Sequence, residues 1–507
     1  MNNLYYDFEK IVNKYSKRHC LIFQDKKITY KELYNLSIKF YNRLSQFEIR
    51  EGDSICIESE KNPEVYAIML ASLKLGVPYF FLDKNSPLDK KLDIIAQAKP
   101  IIYFYEEIKT RAKIKHSFNI KNFLKLKNNK VKLNNKNSKL SSIAYYMFTS
   151  GSTGKAKGVI INQYNLKHFI NWAIKEFKFD NKTIHAGLNL IFFDNSVFDF
   201  YISIFSGATL LPIKKIDLID PTKVIKNLKK NKCNSWFSVP TLIIYFMTLR
   251  LLKKENLPNL KRIIFGGEGF MMQKLRELYK EFGDSIVYSN VYGPTEATCM
   301  CSNYNIKKID FKLDEKFPPI GELHRYFDGY LWNKNRENKN VGELVLGGPC
   351  IGQGYLNEQK IKNSGFKKDP LIKNYNRRVY FTGDIFKYDG RKRLNFVGRI
   401  DNQIKHNGIR IELEEIESRI RRYKNIKDVL VFQVYKNFTS YLIASIIVEK
   451  NFDFKNFLQF NKLNMLKHTK INFFNKVKKF PKQPNGKIDR IESKKICIKN
   501  FLNDKKN

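Results

Sequence analysis

Small hydroxyl residues and glycines between two apolar runs form the segment with the clearest capacity for chemistry. Residues 149–155 read Thr-Ser-Gly-Ser-Thr-Gly-Lys, after the apolar run 145–148 and before Val159. Such residues leave backbone N–H groups free to face an anion, and Lys155 and Lys157 add mobile positive charge. The segment predicts a polyphosphate-holding loop after a buried strand. It lacks the spacing of a Walker A loop, and a Gly/Ser-rich surface turn is the alternative for the loop taken alone.

The pattern around this loop predicts an α/β fold. Helical patterns alternate with short β-branched or aromatic strands through most of the first 400 residues, as at 63–75 (helix) and 78–82 (strand). Such alternation is typical of helices layered on a largely parallel sheet. Residues 109–139, rich in lysine and asparagine, are expected to form surface structure or a loop.

The length of 507 residues exceeds one ordinary core and predicts at least two domains. Residues 1–399 are predicted to form a large multilayer α/β domain. Residues 400–507 are predicted to form a small α+β domain, with a charged helix at 412–423 and strands at 429–434 and 442–448.

Composition excludes several classes of protein. The net charge is +43, but the lysines are dispersed among Asn and Ile rather than gathered, so no nucleic-acid partner is expected. The seven cysteines form no CxxC pair, and their odd number argues against a disulfide framework. The N-terminus has no signal layout, and apolar runs fall short of the roughly 18 residues of a spanning helix. A reduced, cytoplasmic protein without membrane insertion is predicted.

Several segments, in this order, resemble the adenylate-forming (AMP-binding) superfamily across residues 28–490. Within it they are most similar to the amino-acid-adenylating branch, which comprises nonribosomal peptide synthetase adenylation domains and D-alanine–carrier-protein ligases. The segments are 28–33 (ITYKEL), 73–79 (LKLGVPY), 149–155, 290–298 (NVYGPTEAT), 342–355 (GELVLGGPCIGQGY), 380–384 (YFTGD), 398–417 (GRIDNQIKHNGIRIELEEIE) and 484–490 (PNGKIDR).

The resemblance implies activation of a carboxylate with ATP and Mg²⁺. A carboxylate becomes electrophilic as a mixed anhydride, formed by attack on the α-phosphorus, and two anions must meet among cations and N–H donors. The resemblance assigns the nucleotide to the following residues: Thr149, Ser150, Gly151, Ser152, Thr153, Gly154, Lys155, Gly267, Glu268, Tyr292, Gly293, Thr295, Asp384, Arg399 and Lys487.

Individual roles follow from the same resemblance. Glu296 would hold Mg²⁺, a hard cation that prefers oxygen ligands, and Thr295 would touch the α-phosphate. Tyr292 would stack on adenine, and Asp384 would accept both ribose hydroxyls. The alternatives are a first-turn helix acid for Glu296 and a turn residue for Asp384.

Two cations complete the expected catalytic set, which includes Thr295. Arg399 would assist at the ribose or phosphates. Lys487 would bridge the substrate carboxylate and the nucleotide, although it could be one of many surface lysines. The family's LPxYMxP-type segment before it is absent, and 468–480 stands in its place, which puts the docking of the small domain in doubt.

The segment 192–201, FFDNSVFDFY, bears on the class of substrate. By resemblance Asp194 would bind an α-ammonium, since a carboxylate in an aromatic setting is costly to bury without a cation; a cap or turn Asp is the alternative. The resemblance maps the side-chain pocket to Asn195, Phe198, Thr241, Ile264, Gly266, Val291, Cys299 and Met300. These predict a small to medium neutral amino acid, with D-alanine a candidate. Cys299 and Cys301 are expected to be pocket wall or core, not nucleophiles.

The resemblance also implies a second step. Asp401 would be the pivot of the small domain, and 403–410 would line a tunnel for a phosphopantetheine thiol. That thiol would come from an acidic carrier protein in trans, whose encounter the positive charge would speed at low salt. The alternatives are an acyl- or aryl-CoA ligase of the same fold, which Asp194 opposes, and a scaffolding protein derived from this fold.

Overall fold

The computed structural model describes residues 3–106, 110, 113–126, 138–151, 155–312, 315–333, 340–361, 364–372, 374, 376–436, 439–465, 469–482 and 488–504. The chain divides into two compact units. The first comprises Met1–Lys84, Ile94–Phe148 and Gly158–Ile400, and the second comprises Asn85–Asp93, Thr149–Lys157 and Asp401–Asn507.

The strands are β1 His19–Phe23, β2 Lys26–Thr29, β3 Ser54–Glu58, β4 Tyr79–Phe81, β5 Pro100–Tyr105, β6 His116–Asn119, β7 Ile143–Thr149, β8 Lys157–Asn162, β9 Ile184–Gly187, β10 Thr209–Pro212, β11 Ser235–Ser238, β12 Arg262–Gly266, β13 Val287–Tyr292, β14 Ser302–Asn305, β15 Glu322–Leu323, β16 Asp328–Trp332, β17 Val341–Gly347, β18 Phe366–Lys368, β19 Arg378–Tyr388, β20 Leu394–Arg399, β21 Gln403–His406, β22 Ile409–Glu412, β23 Ile426–Lys436, β24 Thr439–Val448 and β25 Phe473–Lys476.

The α-helices are α1 Leu4–Tyr15, α2 Tyr30–Leu44, α3 Pro63–Leu75, α4 Leu88–Ala98, α5 Ile120–Phe123, α6 Gln163–Glu176, α7 Asn195–Val197, α8 Ser203–Ser206, α9 Pro221–Lys230, α10 Pro240–Thr248, α11 Met272–Phe282, α12 Leu413–Ile420, α13 Phe454–Asn464 and α14 Arg490–Asp504. Among the described residues, every helix falls short of the length and apolarity that a membrane crossing requires.

The larger unit contains a sheet that has nine strands in the described part of the chain. Their order is β15-β14-β13-β12-β11-β9-β10-β1-β2. The run from β13 to β1 is parallel throughout, and β14, β15 and β2 add antiparallel edges. From β9 the chain crosses to β10 on one side, and then returns to β11 on the other. Strand order therefore reverses between β9 and β11.

A second sheet of this unit has the order β6-β5-β3-β4-β7-β8. It is parallel from β6 to β7. The helix predicted at 63–75 is confirmed as α3. Asn62 caps it by accepting from Val65 N at 2.8 Å, and Gly76 ends it in the left-handed region at φ 73°.

The prediction of surface structure for 109–139 holds for most of residues 113–126, which are exposed or half-buried, but Ile120 and Phe123 are buried. β6 pairs with β5, and Phe123 is 0% exposed. The Phe123 ring lies 4.8 Å from Phe104, 5.0 Å from Phe118 and 5.7 Å from Phe40, measured between centroids. The aromatic residues, spaced among lysines, outweigh the polar average and enter the core. Residues 127–137 lie outside the described residues.

A third sheet in the larger unit is antiparallel, with the order β16-β17-β19-β18 and β20 paired to β19. Asp384 on β19 and Arg399 on β20 face each other in register. Neighbouring strands in register bring side chains within reach across the sheet, so this pairing positions two of the predicted site residues.

The second unit contains the β21–β22 hairpin, α12 and the sheet β23-β24-β25. Asn407 and Gly408 connect the hairpin with φ values of 52° and 74°, as a type I′ turn requires. The helix predicted at 412–423 is the shorter α12. The two predicted strands are present as the longer β23 and β24.

We expect Phe123→Ala to destabilise the protein by about 3–5 kcal/mol, because it leaves a cavity in a fully buried aromatic cluster. Urea unfolding measures the change. Leu126→Ala, three residues later at 43% exposure, is the matched control and should stay within about 0.5 kcal/mol. Equal stability of the two variants would contradict the burial of Phe123.

Candidate active site

The predicted substrate residues gather where the parallel strands of the nine-stranded sheet end. Residues 188–194 follow β9, 239–241 follow β11, 267–268 follow β12 and 293–298 follow β13. Ligands of α/β sheets bind beyond the carboxyl ends of the strands, at the point where strand order reverses. The β9–β11 position is such a point, and the candidate site lies there.

The loop after β13 is tightly closed. Cys301 N donates to Tyr292 O at 2.8 Å. A Cβ on Gly293 would lie 2.5 Å from both Cys299 O and Met300 Cα, so only glycine fits there. Thr298 and Cys299 take left-handed φ values of 54° and 77°, which costs free energy in non-glycine residues and is typical of functional sites.

Glu296 in this loop is 0% exposed. Its carboxylate accepts from the Tyr355 hydroxyl at 2.7 Å, and its carbonyl accepts from Gly352 N at 2.8 Å. The motif segments 290–298 and 342–355 therefore meet.

Glu296 is the predicted magnesium ligand. A carboxylate oxygen suits Mg²⁺, which is commonly held by one or two carboxylates and by phosphate oxygens. Groups of three or more His, Cys, Asp or Glu able to hold a metal are absent from the described residues. Glu296 therefore fits an ion that takes its remaining ligands from a nucleotide and water.

The side chains of Asp194 and Thr295 are joined by a hydrogen bond. The Thr295 hydroxyl donates to the Asp194 carboxylate at 2.6 Å, across 101 residues of sequence. Asp194 occupies the N-cap position of α7 but makes no side-chain cap hydrogen bond, so the capping alternative does not describe its carboxylate. The residues predicted for the ammonium and for the α-phosphate are thus direct neighbours.

A buried network, which sequence reasoning missed, lies beside Asp194. Asp199, within a π-helical turn at Phe198–Ile202, is 3% exposed. Its carboxylate accepts from Asn189 N at 3.1 Å and Asn189 Nδ2 at 3.0 Å, and lies 3.0 Å from His185 Nε2. π-Helical turns are frequent at functional sites. The available signal was the second Asp of the 192–201 pattern.

Most predicted pocket residues come together. Phe198, Ile264, Val291, Cys299 and Met300 are buried in one hydrophobic cluster. The Phe198 ring also packs on other aromatic rings, with centroid distances of 5.0 Å to Phe237 and 5.1 Å to Phe177.

The remaining pocket residues lie at the strand ends. Gly266 pairs with Val291, and a Cβ there would lie 2.5 Å from Val291 Cγ2. Thr241 N donates to the Glu268 carboxylate at 2.7 Å. Gly267, with φ 86°, makes the turn that places Glu268. Asn195 is half-buried in α7.

The cysteines behave as core residues. Burial, together with the charges of Asp194 and Asp199, raises the pKa of the Cys299 thiol well above its usual range. Cys301 is fully buried, and all seven cysteines are buried and free of disulfides. A thiol without thiolate character is a poor nucleophile, which confirms the prediction for Cys299.

The predicted adenine and ribose residues are in contact. The Tyr292 hydroxyl donates to the Asp384 carboxylate at 2.5 Å, and Arg399 forms an ion pair with the same carboxylate. Burial and the Asp384 charge raise the pKa of Tyr292 well above its usual range, so its hydroxyl keeps its proton. The sequence did not predict the Tyr292 contact.

Glu343 supports Asp384 indirectly. Its carboxylate accepts from Gly383 N at 2.8 Å, at a residue with φ 71°. Burial raises the pKa of Glu343 above its usual range. The motif 342–355 contains this residue, but the sequence alone gave it no role.

The predicted phosphate loop is described in part, within the second unit. Thr149 ends β7, and the Ser150 hydroxyl donates to Arg410 O at 2.8 Å. A Cβ on Gly151 would overlap Lys155 O, and the Lys155 side chain is exposed. Ser152, Thr153, Gly154 and Lys487 lie outside the described residues.

The predicted pivot, Asp401, begins the last segment of the second unit. Its carboxylate accepts from Gln403 N at 3.2 Å, which fixes the first residue of β21. The structure gives its position, and its role as a pivot stays a prediction.

Comparison with known proteins places this arrangement in a family. The family model described as AMP-binding enzyme matches residues 8–356. D-alanine–D-alanyl carrier protein ligase from Listeria monocytogenes serotype 4a (strain HCC23) is 29% identical over 501 residues, which cover 93% of this chain and 94% of that protein.

Two further proteins share sequence or fold. Bacitracin synthase 1 from Bacillus licheniformis is 27% identical over 95% of this chain, which spans only 9% of that protein. The solved structure of o-succinylbenzoate CoA synthetase from Bacillus subtilis has a TM-score of 0.82 at 17% identity, covering 96% of this chain and 97% of that chain. The structural likeness confirms the predicted α/β fold with a large N-terminal and a small C-terminal part.

We expect the native protein to resist thiol reagents, because all seven cysteines are buried and burial suppresses the thiolate. Labelling with a chromogenic disulfide reagent should be slow in buffer, and all seven thiols should react in guanidinium. Rapid, stoichiometric labelling of Cys299 in the folded protein would contradict its place in the core.

We expect Asp384→Asn to weaken ATP binding at least about tenfold, since hydrogen bonds to a charged group contribute about 1.5–3 kcal/mol. Tyr292→Phe keeps the ring and removes the hydroxyl that donates to the Asp384 carboxylate. The affinity of this variant for ATP should therefore stay within about threefold of the parent. Calorimetric titration measures both. Unchanged binding by a folded Asp384→Asn protein would refute the ribose role.

Proposed function

Since this chain belongs to the AMP-binding enzyme family, as an adenylate-forming ligase that uses ATP, we propose that it activates an amino acid and transfers it to a carrier protein. The proposed division is a large domain at 1–399 and a small mobile domain at 400–507. Because the reaction consumes ATP, we propose that it takes place in the cytoplasm.

The first step joins two anions. A carboxylate oxygen of the amino acid bonds to the α-phosphorus, the bond from that phosphorus to the bridging oxygen breaks, and pyrophosphate leaves. N–H groups of the 149–155 loop, with Lys155 and Lys487, would stabilise the developing charge, and Thr295 would touch the α-phosphate. Mg²⁺ at Glu296 would supply further positive charge when bound.

The hydrogen bond between the Thr295 hydroxyl and the Asp194 carboxylate is the main observation that supports the proposal. An α-amino acid holds its ammonium and its reacting carboxylate on one carbon, so the two binding groups must be close neighbours. Their oxygens are 2.6 Å apart. An ammonium at about 4 Å from Asp194 gains on the order of 4 kcal/mol at an effective dielectric of about 20, which an acid without nitrogen would forgo.

The surroundings support a small to medium neutral side chain. Phe198, Ile264, Val291 and Met300 are apolar and buried. D-alanine is the candidate that these features and the similarity to a D-alanine–D-alanyl carrier protein ligase support.

The second step would be a thioester exchange. A phosphopantetheine thiolate attacks the carbonyl carbon, the bond to the AMP oxygen breaks, and AMP leaves with the electron pair. We propose Asp401 as the pivot and the hairpin at 403–410 as the wall of the thiol tunnel. The net charge of +43 supports an acidic carrier protein as the partner.

An acyl- or aryl-CoA ligase is the second candidate. The likeness of fold to o-succinylbenzoate CoA synthetase favours it, because one fold serves several acceptors. Its substrate lacks the ammonium that Asp194 would bind.

ATP–pyrophosphate exchange across common amino acids, both alanine enantiomers and several fatty and aryl acids tests the proposal. We expect exchange with one neutral amino acid, reduced at least about hundredfold in Lys487→Ala and Asp194→Ala. Lys482→Ala, an exposed lysine on the same segment, should retain the parent rate. Asp194→Asn keeps an acceptor for Thr295 and removes the charge. A loss of exchange in this variant therefore isolates the contribution of the ammonium contact. Exchange only with acids that lack an ammonium would overturn the proposal in favour of the CoA ligase.

A further inference from the structure

Lys61 is a lysine that the tertiary structure buries, with 3% of its surface exposed. Its ammonium donates to Gly187 O at 2.6 Å and to Ile213 O at 2.9 Å. Gly187 is the last residue of β9, and Ile213 follows the last residue of β10. One side chain therefore joins the carboxyl ends of two parallel strands at the sheet edge that carries the candidate site.

The charge of Lys61 is maintained at a cost. Burial lowers the pKa of Lys61 to about 8, and Asp199 is the strongest of the charges that oppose this shift. Asp199 is itself buried and accepts from Asn189. A buried charge is tolerated when hydrogen bonds and an opposite charge compensate it, so Lys61 and Asp199 fix the exit of β9 from two sides.

The segment that follows these two anchored residues leads to Asp194. Gly187 is held by Lys61, Asn189 by Asp199, and Asp194 follows five residues after Asn189. Residues 190–192 line a cavity of about 370 Å³, which includes open solvent, together with Lys61. The Lys61 ammonium thus fixes Gly187, the first residue of the segment 187–194. The Lys61 side chain lines the same cavity as residues 190–192, in the middle of that segment.

Other charged residues around Lys61 are more exposed. They comprise Glu60, Asp83, Lys84, Lys214 and Lys215, which line the same cavity, and Asp217, which acts on Lys61 through its charge. Lys84 pairs with Glu60 at 3.2 Å, with 38% of its side chain exposed. Lys84 therefore provides a matched control, as a more exposed lysine on the same cavity that is paired with a carboxylate.

We propose that Lys61 is a positioning residue for the amino-acid site, which holds the end of β9 so that the Asp194 carboxylate meets the substrate ammonium. The inference rests on the proposed amino-acid activation. Lys61 acts through its hydrogen bonds to the backbone carbonyls of Gly187 and Ile213. Its loss should therefore move Asp194 and leave Tyr292 and Asp384, the residues predicted for adenine and ribose, in place.

The test is ATP–pyrophosphate exchange with the amino acid that the parent protein prefers. We expect Lys61→Met to raise the KM for the amino acid about tenfold and to leave the KM for ATP within about twofold, because a small misplacement of a binding group costs one to two orders of magnitude. Lys61→Arg, which keeps the charge and donors, should recover most of the affinity. Lys84→Met should match the parent.

Other outcomes decide against the inference. Equal increases in both KM values, an unchanged KM for the amino acid, or an Arg variant as impaired as the Met variant would each overturn it. If Lys61→Met does not fold, Lys61→Gln, with a shorter side chain and no charge, should show the same selective increase at about threefold, and a parallel rise in the KM for ATP would refute it. A parent protein that exchanges with no amino acid removes the proposed function as well, which distinguishes the two failures.

Discussion

Parallel pairing of β13, β12, β11, β9, β10 and β1 is the constraint on which the candidate site depends. Parallel strands present all their carboxyl ends at one edge, so every loop that leaves the sheet there meets its neighbours. Asp194 follows β9 and Thr295 follows β13, and their side chains are hydrogen-bonded although they are 101 positions apart in the sequence. The closeness that an α-amino acid requires follows from strand order.

Three buried carboxylates in and beside the candidate site accept hydrogen bonds from other groups of the protein. Asp199 accepts from Asn189, Glu296 from Tyr355, and Asp384 from Tyr292. A buried carboxylate without such partners would be strongly destabilising. The donors also fix the carboxylates before a ligand binds, and groups that need no reorganisation stabilise developing charge most effectively. The same hydrogen bonds thus serve both folding and the proposed chemistry.

Local patterns predicted much of the fold. The helix at 63–75 and the strand before the phosphate loop follow from short-range periodicity and capping, and both are observed. The composition of residues 109–139 did not reveal that Phe123 in α5 is buried among aromatic rings. Lysine and asparagine dominate the average of that stretch, but burial is decided by individual side chains and by the strand that pairs beside them. Composition over thirty residues cannot report either one.

The sequence by itself determined the family and the class of chemistry, because each motif is a short contiguous segment that can be identified without knowledge of the fold. It also selected Asp194, Thr295, Glu296 and Asp384 as candidates. The tertiary structure alone decided their contacts with one another and the role of Lys61. In the sequence Lys61 resembles dozens of surface lysines, and its burial depends on two strands that lie more than 120 residues away. Register and strand order set these distances, and no local pattern encodes them.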